Sequence, residues 1–396
     1  MYDGRPITFF NAQIVGSEGV FANALRVERG RVAGFKLRTA DVRVDVGGAF
    51  IYPGLVNAHD HLELNNFPRL KWRERYTNAR EWIADFQPRF ESDPALAGPM
   101  SIPLADRLFI GGIKNLLSGA TTVCHHNPFH RSLRRDFPVR VVTRRRYSHS
   151  LLIDGGERVA REYRDTPRNW PWIIHAAEGT DAEAAGELDR LDRLGCLWPN
   201  TVLVHGVNLS ERDCAKLAER GGGLVWCPAS NHFLLGATAG VRDLARLGRV
   251  ALGSDSRLSG ARDLLAELKC AAATGQVDAR ALFRMVTVDA AALLRLPQAG
   301  RLAPRLPADL LALRAPPLAG DPFRALLAVE RKDLLLVMIG GRPAFGAPEL
   351  ARVFAAGRVK PRPVRVDGTL KLMDQSLAGR LQNSAIGEPG VEWPDG

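Results

Sequence analysis

IYPGLVNAHDH, residues 51–61, is an apolar run that closes on two histidines two positions apart. Alternate residues of a strand share a face, so His59 and His61 project to the same side. Alone, such a pair is a weak signal. Outward from it the same grammar recurs: apolar runs closing on polar residues at 120–126 (ATTVCHH), 171–177 (PWIIHAA), 201–206 (TVLVHG), 222–228 (GGLVWCP) and 249–255 (RVALGSD), with a further run at 138–147 (PVRVVTRRRY). Amphipathic stretches at 104–118, 181–194, 210–220 and 261–273 fall between them. Strands alternating with helices signal parallel β/α units. Seven strands are legible, whereas a closed (β/α)8 barrel takes eight. The eighth is expected within 148–170, with SHSLLID as its candidate.

The flanks read differently. ITFFNAQIV, ALRVERGRVAGF and VRVDV, before residue 51, are short β-rich runs expected to form a small antiparallel sheet. ADLLALR at 308–314 and LLLVMIGGRPAF at 334–345 are strands that can join them in one discontinuous β-domain. The expected organisation is 1–50 plus 303–358 as that β-domain, 51–302 as the barrel, and 359–396, rich in Pro, Gly and charge, as a partly ordered tail. Residues 62–103 are a long insertion carrying Arg and Trp. A lid or substrate wall and a packed surface excursion weigh equally for it.

Composition narrows the function classes. A chain of 396 residues, 46% hydrophobic and 24% charged, is globular and too long for one small core. No apolar run reaches membrane-spanning length. The start, MYDGRPITFF, lacks the pattern of a secretory signal. Five cysteines without a CxxC pair fit reduced thiols in the cytoplasm, with Cys124 and Cys227 as packing residues. The net charge of +11 favours anionic ligands at the surface. No recognition helix, zinc-finger spacing or RNP motif supports nucleic-acid binding.

All nine histidines lie between 59 and 232, most of them at or just beyond a strand end. Strand ends converge at the C-terminal face of a barrel, and His is the commonest metal ligand. His175, His205 and Asp255 each end a later strand. Three imidazoles and one carboxylate suit a catalytic zinc or iron site with a position open to water.

IYPGLVNAHDHLE, SGATTV, HAAEG, VLVHG, WCPASN, LGSDS and the closing VTVDAAALL and PADLLAL resemble, in consecutive order, the amidohydrolase superfamily. More narrowly they resemble its chlorohydrolase and deaminase branch, over residues 5–345 or so. The resemblance implies a distorted TIM barrel carrying a composite β-sandwich from both termini. It implies one divalent metal, zinc with iron as the alternative, held by His59, His61, His175 and Asp255. Glu178 and His205 are then catalytic beside it, with Asp255 orienting the water, and Asn231 lines the pocket. Binuclear relatives commonly bridge two metals with a carboxylated Lys on the fourth strand. No Lys occurs between Lys114 and Lys216, which favours a single metal. HHNPFH after the second strand departs from the branch. His125, His126 and His149 are pocket candidates there, with structural hydrogen bonding the preferred alternative.

The implied reaction is hydrolytic attack on an sp² carbon bound to nitrogen: deamination of an aminated heterocycle, with cyclic-amide opening or loss of halide from a heteroaromatic ring as alternatives. Glu178 follows His175 by three residues, so both face one site only if the chain turns just after the strand, and Gly179 is expected to permit that turn. A non-catalytic metal- or ligand-binding relative on the same fold is the competing reading. Arg69, Arg73, Arg75 and Arg257 are candidates for an acidic group on a small-molecule substrate, or form a solvated basic rim. Barrels of this branch often pair, which leaves a homodimer open.

Overall fold

The computed structural model describes residues 4–314 and 320–394; the parts of the expected spans at 1–3, 315–319 and 395–396 lie outside the described residues. Eight short strands carry the central architecture: β1 (Leu55–Asp60), β2 (Ala120–His125), β3 (Arg140–Val141), β4 (Arg146–Ser148), β5 (Trp172–Ala176), β6 (Thr201–His205), β7 (Gly223–Trp226) and β8 (Val250–Leu252). They pair in chain order, all parallel, as two arcs, β1–β3 and β4–β8. Their buried apolar residues, among them Val56, Ala58, Ile173, Val204, Val225 and Ala251, pack together inside. Helices cover the outside, including Leu104–Leu117, Gly156–Arg164, Glu211–Glu219 and Leu264–Ala273.

The arcs meet where β8 runs out beside β1. The Asp255 N–H donates to the His59 carbonyl at 3.1 Å, and the Ser254 N–H donates to Asn57 Oδ1 at 3.0 Å. Gly253 is required at this seam, since a Cβ there would lie 2.6 Å from the His59 Cβ. At the other junction, β3 and β4 share no ladder among the described residues.

The run at 138–147 therefore holds two strands rather than one. Arg145, only 8% exposed, turns inward between them, with its guanidinium over the Tyr147 ring. The strand missing from the sequence reading is β4, Arg146–Ser148, and of SHSLLID only Ser148 belongs to it. Leu151–Asp154 is a helical turn, because the Ser150 hydroxyl caps it by accepting from the Ile153 N–H.

One large sheet draws on both ends of the chain. At its middle, the long strand Val42–Pro53 pairs parallel with Ile7–Gly16 and antiparallel with Leu310–Leu313. The parallel pairing corrects the expectation of a purely antiparallel N-terminal sheet. Leu334–Ile339 and Arg342–Gly346 extend the sheet on one side.

The segment after 359, expected as a partly ordered tail, carries defined elements. Pro361–Val366 and Thr369–Asp374 form a hairpin on that sheet, Gln375–Gln382 is a helix, and Val391–Glu392 adds a last short strand. A buried ion cluster fixes it. The fully covered Glu388 accepts from Arg331 at 2.6 Å and from both terminal nitrogens of Arg257 at 2.6 and 2.9 Å. Glu388→Ala leaves two buried guanidinium groups short of their anion. We expect a loss of about 3–5 kcal/mol, read as a lower urea midpoint, with the C-terminal segment cleaved first in limited proteolysis.

Candidate active site

His59 and His61 stand at the end of β1, and the strand's alternation turns the intervening Asp60 the other way. Asp60 is fully buried beneath the helix Leu104–Leu117, where Lys114 Nζ reaches it at 3.3 Å. The same Nζ donates to Asn65 at 2.7 Å, to the Ser254 hydroxyl at 3.0 Å and to the Asp255 carbonyl at 3.3 Å. Asn57 and Asn115 complete this polar knot behind the site.

In front, His59 Nε2 and His175 Nε2 approach to 3.3 Å, while Asp255 Oδ1 lies 3.7 Å from Nε2 of both His59 and His61. His175 Nδ1 donates to the His149 carbonyl at 2.7 Å, which leaves its Nε2 lone pair facing His59. Burial holds His59 and His175 well below the ordinary imidazole range, so both are neutral. Burial acts to raise the Asp255 carboxyl, but His61, His205 and the hydroxyls of Ser230 and Ser259, at 2.7 and 2.8 Å from Oδ2, outweigh it and keep the group ionised. The buried His61 Nδ1 has no partner among the described residues. Imidazole nitrogens around an ionised carboxylate form a donor set that fits a divalent cation such as zinc or iron.

The backbone at three strand ends is forced. Ala177, His205 and Asp255 adopt φ of 51°, 73° and 50°. Left-handed non-glycine residues of this kind concentrate at functional sites. The turn that brings Glu178 round after His175 is thus made at Ala177, not at Gly179 as the sequence suggests. Gly179 serves close approach instead: a Cβ there would sit 2.8 Å from the Asn78 Cβ. Glu178 ends 3.5 Å from His205 Nε2, and burial pushes its carboxyl up to about 7 against the opposing pull of His205. The Asn231 carbonyl oxygen accepts from His205 Nδ1 at 2.8 Å, which turns the other ring nitrogen toward Glu178.

His61, His175, Glu178, His205 and Asp255 open into one cavity of about 190 Å³. The 62–103 insertion forms one wall of it through Ala79, Trp82 and Ile83. It is anchored by its own apolar cluster, with Phe67, Phe86 and Leu96 packed on Leu258. It is also tied to the Glu178 segment, since the Ala79 N–H donates to the Glu178 carbonyl at 3.0 Å.

Of the pocket candidates, His149 lines the cavity, and His125, His126, Asn231 and Arg257 do not. His125 is buried against Glu63, at 3.7 Å. His126 packs on His59 and His175. Asn231 acts on His205 rather than on the cavity. Arg257 is consumed by Glu388, so its assignment to substrate is corrected. Arg69, Arg73 and Arg75 are absent from the lining as well; Arg73 pairs with Asp85 at 2.7 Å, and Arg69 donates to the backbone carbonyls of Ser259 and Ala229.

Sequence reading missed Lys114, Ser230, Ser259 and Glu187. A single Lys inside the apolar run FIGGIKNLL was a usable signal. The serines carried none. Glu187 accepts from the Ala177 N–H at 2.6 Å and is pushed by burial to about 7.

The chain is similar to known proteins. A model of the amidohydrolase family matches residues 172–344. A 5-methylthioadenosine/S-adenosylhomocysteine deaminase of Nitratidesulfovibrio vulgaris (strain DP4) is 26% identical over 387 residues, covering 80% of this chain and 86% of the relative. An 8-oxoguanine deaminase of Pseudomonas aeruginosa is 30% identical over 189 residues, 42% of each chain. Among solved structures, an adenosine deaminase from Xanthomonas campestris with bound zinc superposes with a TM-score of 0.70 at 20% identity, covering 89% of this chain and 96% of that one. An atrazine chlorohydrolase from Arthrobacter aurescens TC1 complexed with zinc gives 0.70 at 18% identity, covering 89% and 99%. At these identities the two structures speak for the fold alone.

Ser230 and Ser259 both donate to the Asp255 oxygen that does not face His59 and His61. Ser230→Ala should therefore weaken zinc affinity about 10- to 100-fold with little change in stability. Competition against a chromogenic chelator reads this directly.

Proposed function

Starting from a chain that carries the motifs, the family-model match and the fold of the amidohydrolase superfamily, we propose a metal-dependent hydrolase that deaminates an aminated heterocycle. In this reading β1–β8 close as a distorted TIM barrel over 51–302, and the sheet from both ends is a composite β-sandwich. His59, His61, His175 and Asp255 hold one divalent ion, zinc in preference to iron. A cation there lowers the pKa of a water to about 7 and so supplies the nucleophile at neutral pH. No lysine lines the cavity among the described residues; Lys114 is spent on the knot behind the site, and Lys216 pairs with Asp189. This supports a single ion.

The observation that carries the reading is Glu178. It sits at the cavity beside the ligand set, with a carboxyl that exchanges its proton near neutrality. Ionised, it takes a proton from water; protonated, it delivers that proton to the departing nitrogen. His205, held by Asn231 in one tautomer, faces Glu178 and orients the reacting oxygen. Asp255 orients the attacking water. Departure of chloride needs no proton, whereas departure of an amine does. A proton carrier poised near pH 7 therefore favours a nitrogen leaving group and an active enzyme over a non-catalytic relative.

The walls bound the substrate. Leu64, Trp82, Ile83 and Leu152 present apolar faces suited to a flat ring. The carboxylate lining is Glu178, Asp181, Glu183, Glu187 and Asp255, against the guanidinium of Arg80, which pairs with Glu183 at 3.5 Å. A neutral heterocycle rich in hydrogen-bond donors fits this lining better than an anionic one. No described helix is long and apolar enough to cross a membrane. The five free cysteines support a cytoplasmic setting.

Zinc-loaded protein incubated with aminated purines, pyrimidines and pterins should release ammonia from at least one of them. With that substrate, kcat/KM should fall as pH drops below about 7, because Glu178 must start ionised. Glu178→Gln should keep its zinc and lose at least about 100-fold in kcat. Near wild-type turnover in that variant would remove the proton-carrier role.

A further inference from the structure

His126 follows directly on β2 and is fixed from its backbone outward. Its N–H donates to the Asp60 carbonyl at 3.1 Å, in the stretch that carries His59 and His61. Its ring is almost wholly covered, at 1% exposure. The ring centre lies 4.2 Å from that of His175, 4.9 Å from that of His59 and 5.6 Å from that of His61. One ring nitrogen from each of His59, His126 and His175 falls within 4.8 Å of the others, and a second such group, His59, His61 and Asp255, shares His59 with it.

The hydrogen bonding selects the tautomer. His126 Nε2 lies 3.1 Å from the Ser148 carbonyl oxygen, which can only accept, so Nε2 carries the proton. Nδ1 is then the nitrogen with a free lone pair. It is buried and has no partner among the described residues. A packing histidine in such a place normally satisfies both nitrogens. A metal-ligating histidine leaves one lone pair open and spends the other ring nitrogen on a carbonyl or carboxylate. His175, bonded to the His149 carbonyl, shows the same pattern.

We propose that His126 is an additional imidazole ligand of the ion held by His59, His61, His175 and Asp255, its Nδ1 being the donor. The inference rests on the mononuclear metal reading above and adds to it a nitrogen from the second strand. With the water that the reading above requires, His126 would be the sixth ligand, and cobalt(II), which occupies such sites, reports coordination number through its visible bands.

The test uses the full chain loaded with cobalt(II). The wild type should bind one ion per chain and show hyperfine-shifted, solvent-exchangeable imidazole N–H proton signals from four histidines. His126→Phe keeps a ring in place without a nitrogen. It should lose one of those signals, show stronger visible bands as the coordination number falls, and bind cobalt about tenfold more weakly. His126→Asn is the second variant should the larger ring disturb folding, and the wild-type signal count stands without either. Three signals in the wild type, or a folded variant with unchanged bands and affinity, would overturn the assignment of His126 and leave the mononuclear site intact. A wild type that takes up no cobalt or zinc would overturn both.

Discussion

A buried ion pair sets the geometry of the whole site. Asp60 lies between His59 and His61, and pleating sends it backward while they go forward. An ionised carboxylate in that position is tolerated only with a partner. Lys114 supplies it, and its ammonium also lies within hydrogen-bond reach of Asn65, Ser254 and the Asp255 carbonyl. One ammonium group thus fastens the first strand, the following insertion, and the end of the eighth strand to a single helix. The ligands that face the cavity are positioned by what happens on the face turned away from it.

From that anchor the rest follows by short steps. With β1 and the end of β8 locked at Gly253, Asp255 is held between two imidazoles while two serines take its other oxygen. The left-handed turn at Ala177 swings Glu178 toward His205, and the insertion braces it from above through Ala79. Burial then acts differently on each group. It keeps His59 and His175 neutral and lifts Glu178 toward neutrality, yet fails to protonate Asp255, whose Oδ2 accepts from two serine hydroxyls. Carboxylates with separate roles arise from one folded neighbourhood.

Much of this was legible in the chain. The strand-closing residues His59, His61, His175, His205 and Asp255 could be read from apolar runs and their polar ends; the structure brings His61, His175, His205 and Asp255 to one cavity, with His59 buried against His175 and Asp255. β4 was hidden because VRVVTRRRY is continuous in β character, while the structure divides it into β3 and β4, with the buried Arg145 between them. The order after residue 359 was hidden because its composition is that of a loose tail, while what holds it, the meeting of Glu388 with Arg257 and Arg331, spans distant positions. The same meeting removed Arg257 from the substrate. Net positive charge does not carry into the cavity, where Arg80 is the one Lys or Arg among the described lining residues, beside five carboxyl groups.

The central claim is that the four predicted ligands share one ion. Crystals of the zinc-loaded chain, measured on either side of the zinc absorption edge, test it most directly. The account predicts one anomalous peak per chain, at about 2.0–2.2 Å from a nitrogen of His59, His61 and His175 and an oxygen of Asp255. A zinc-saturated crystal with no peak among these side chains, or with its peak elsewhere in the molecule, would contradict it.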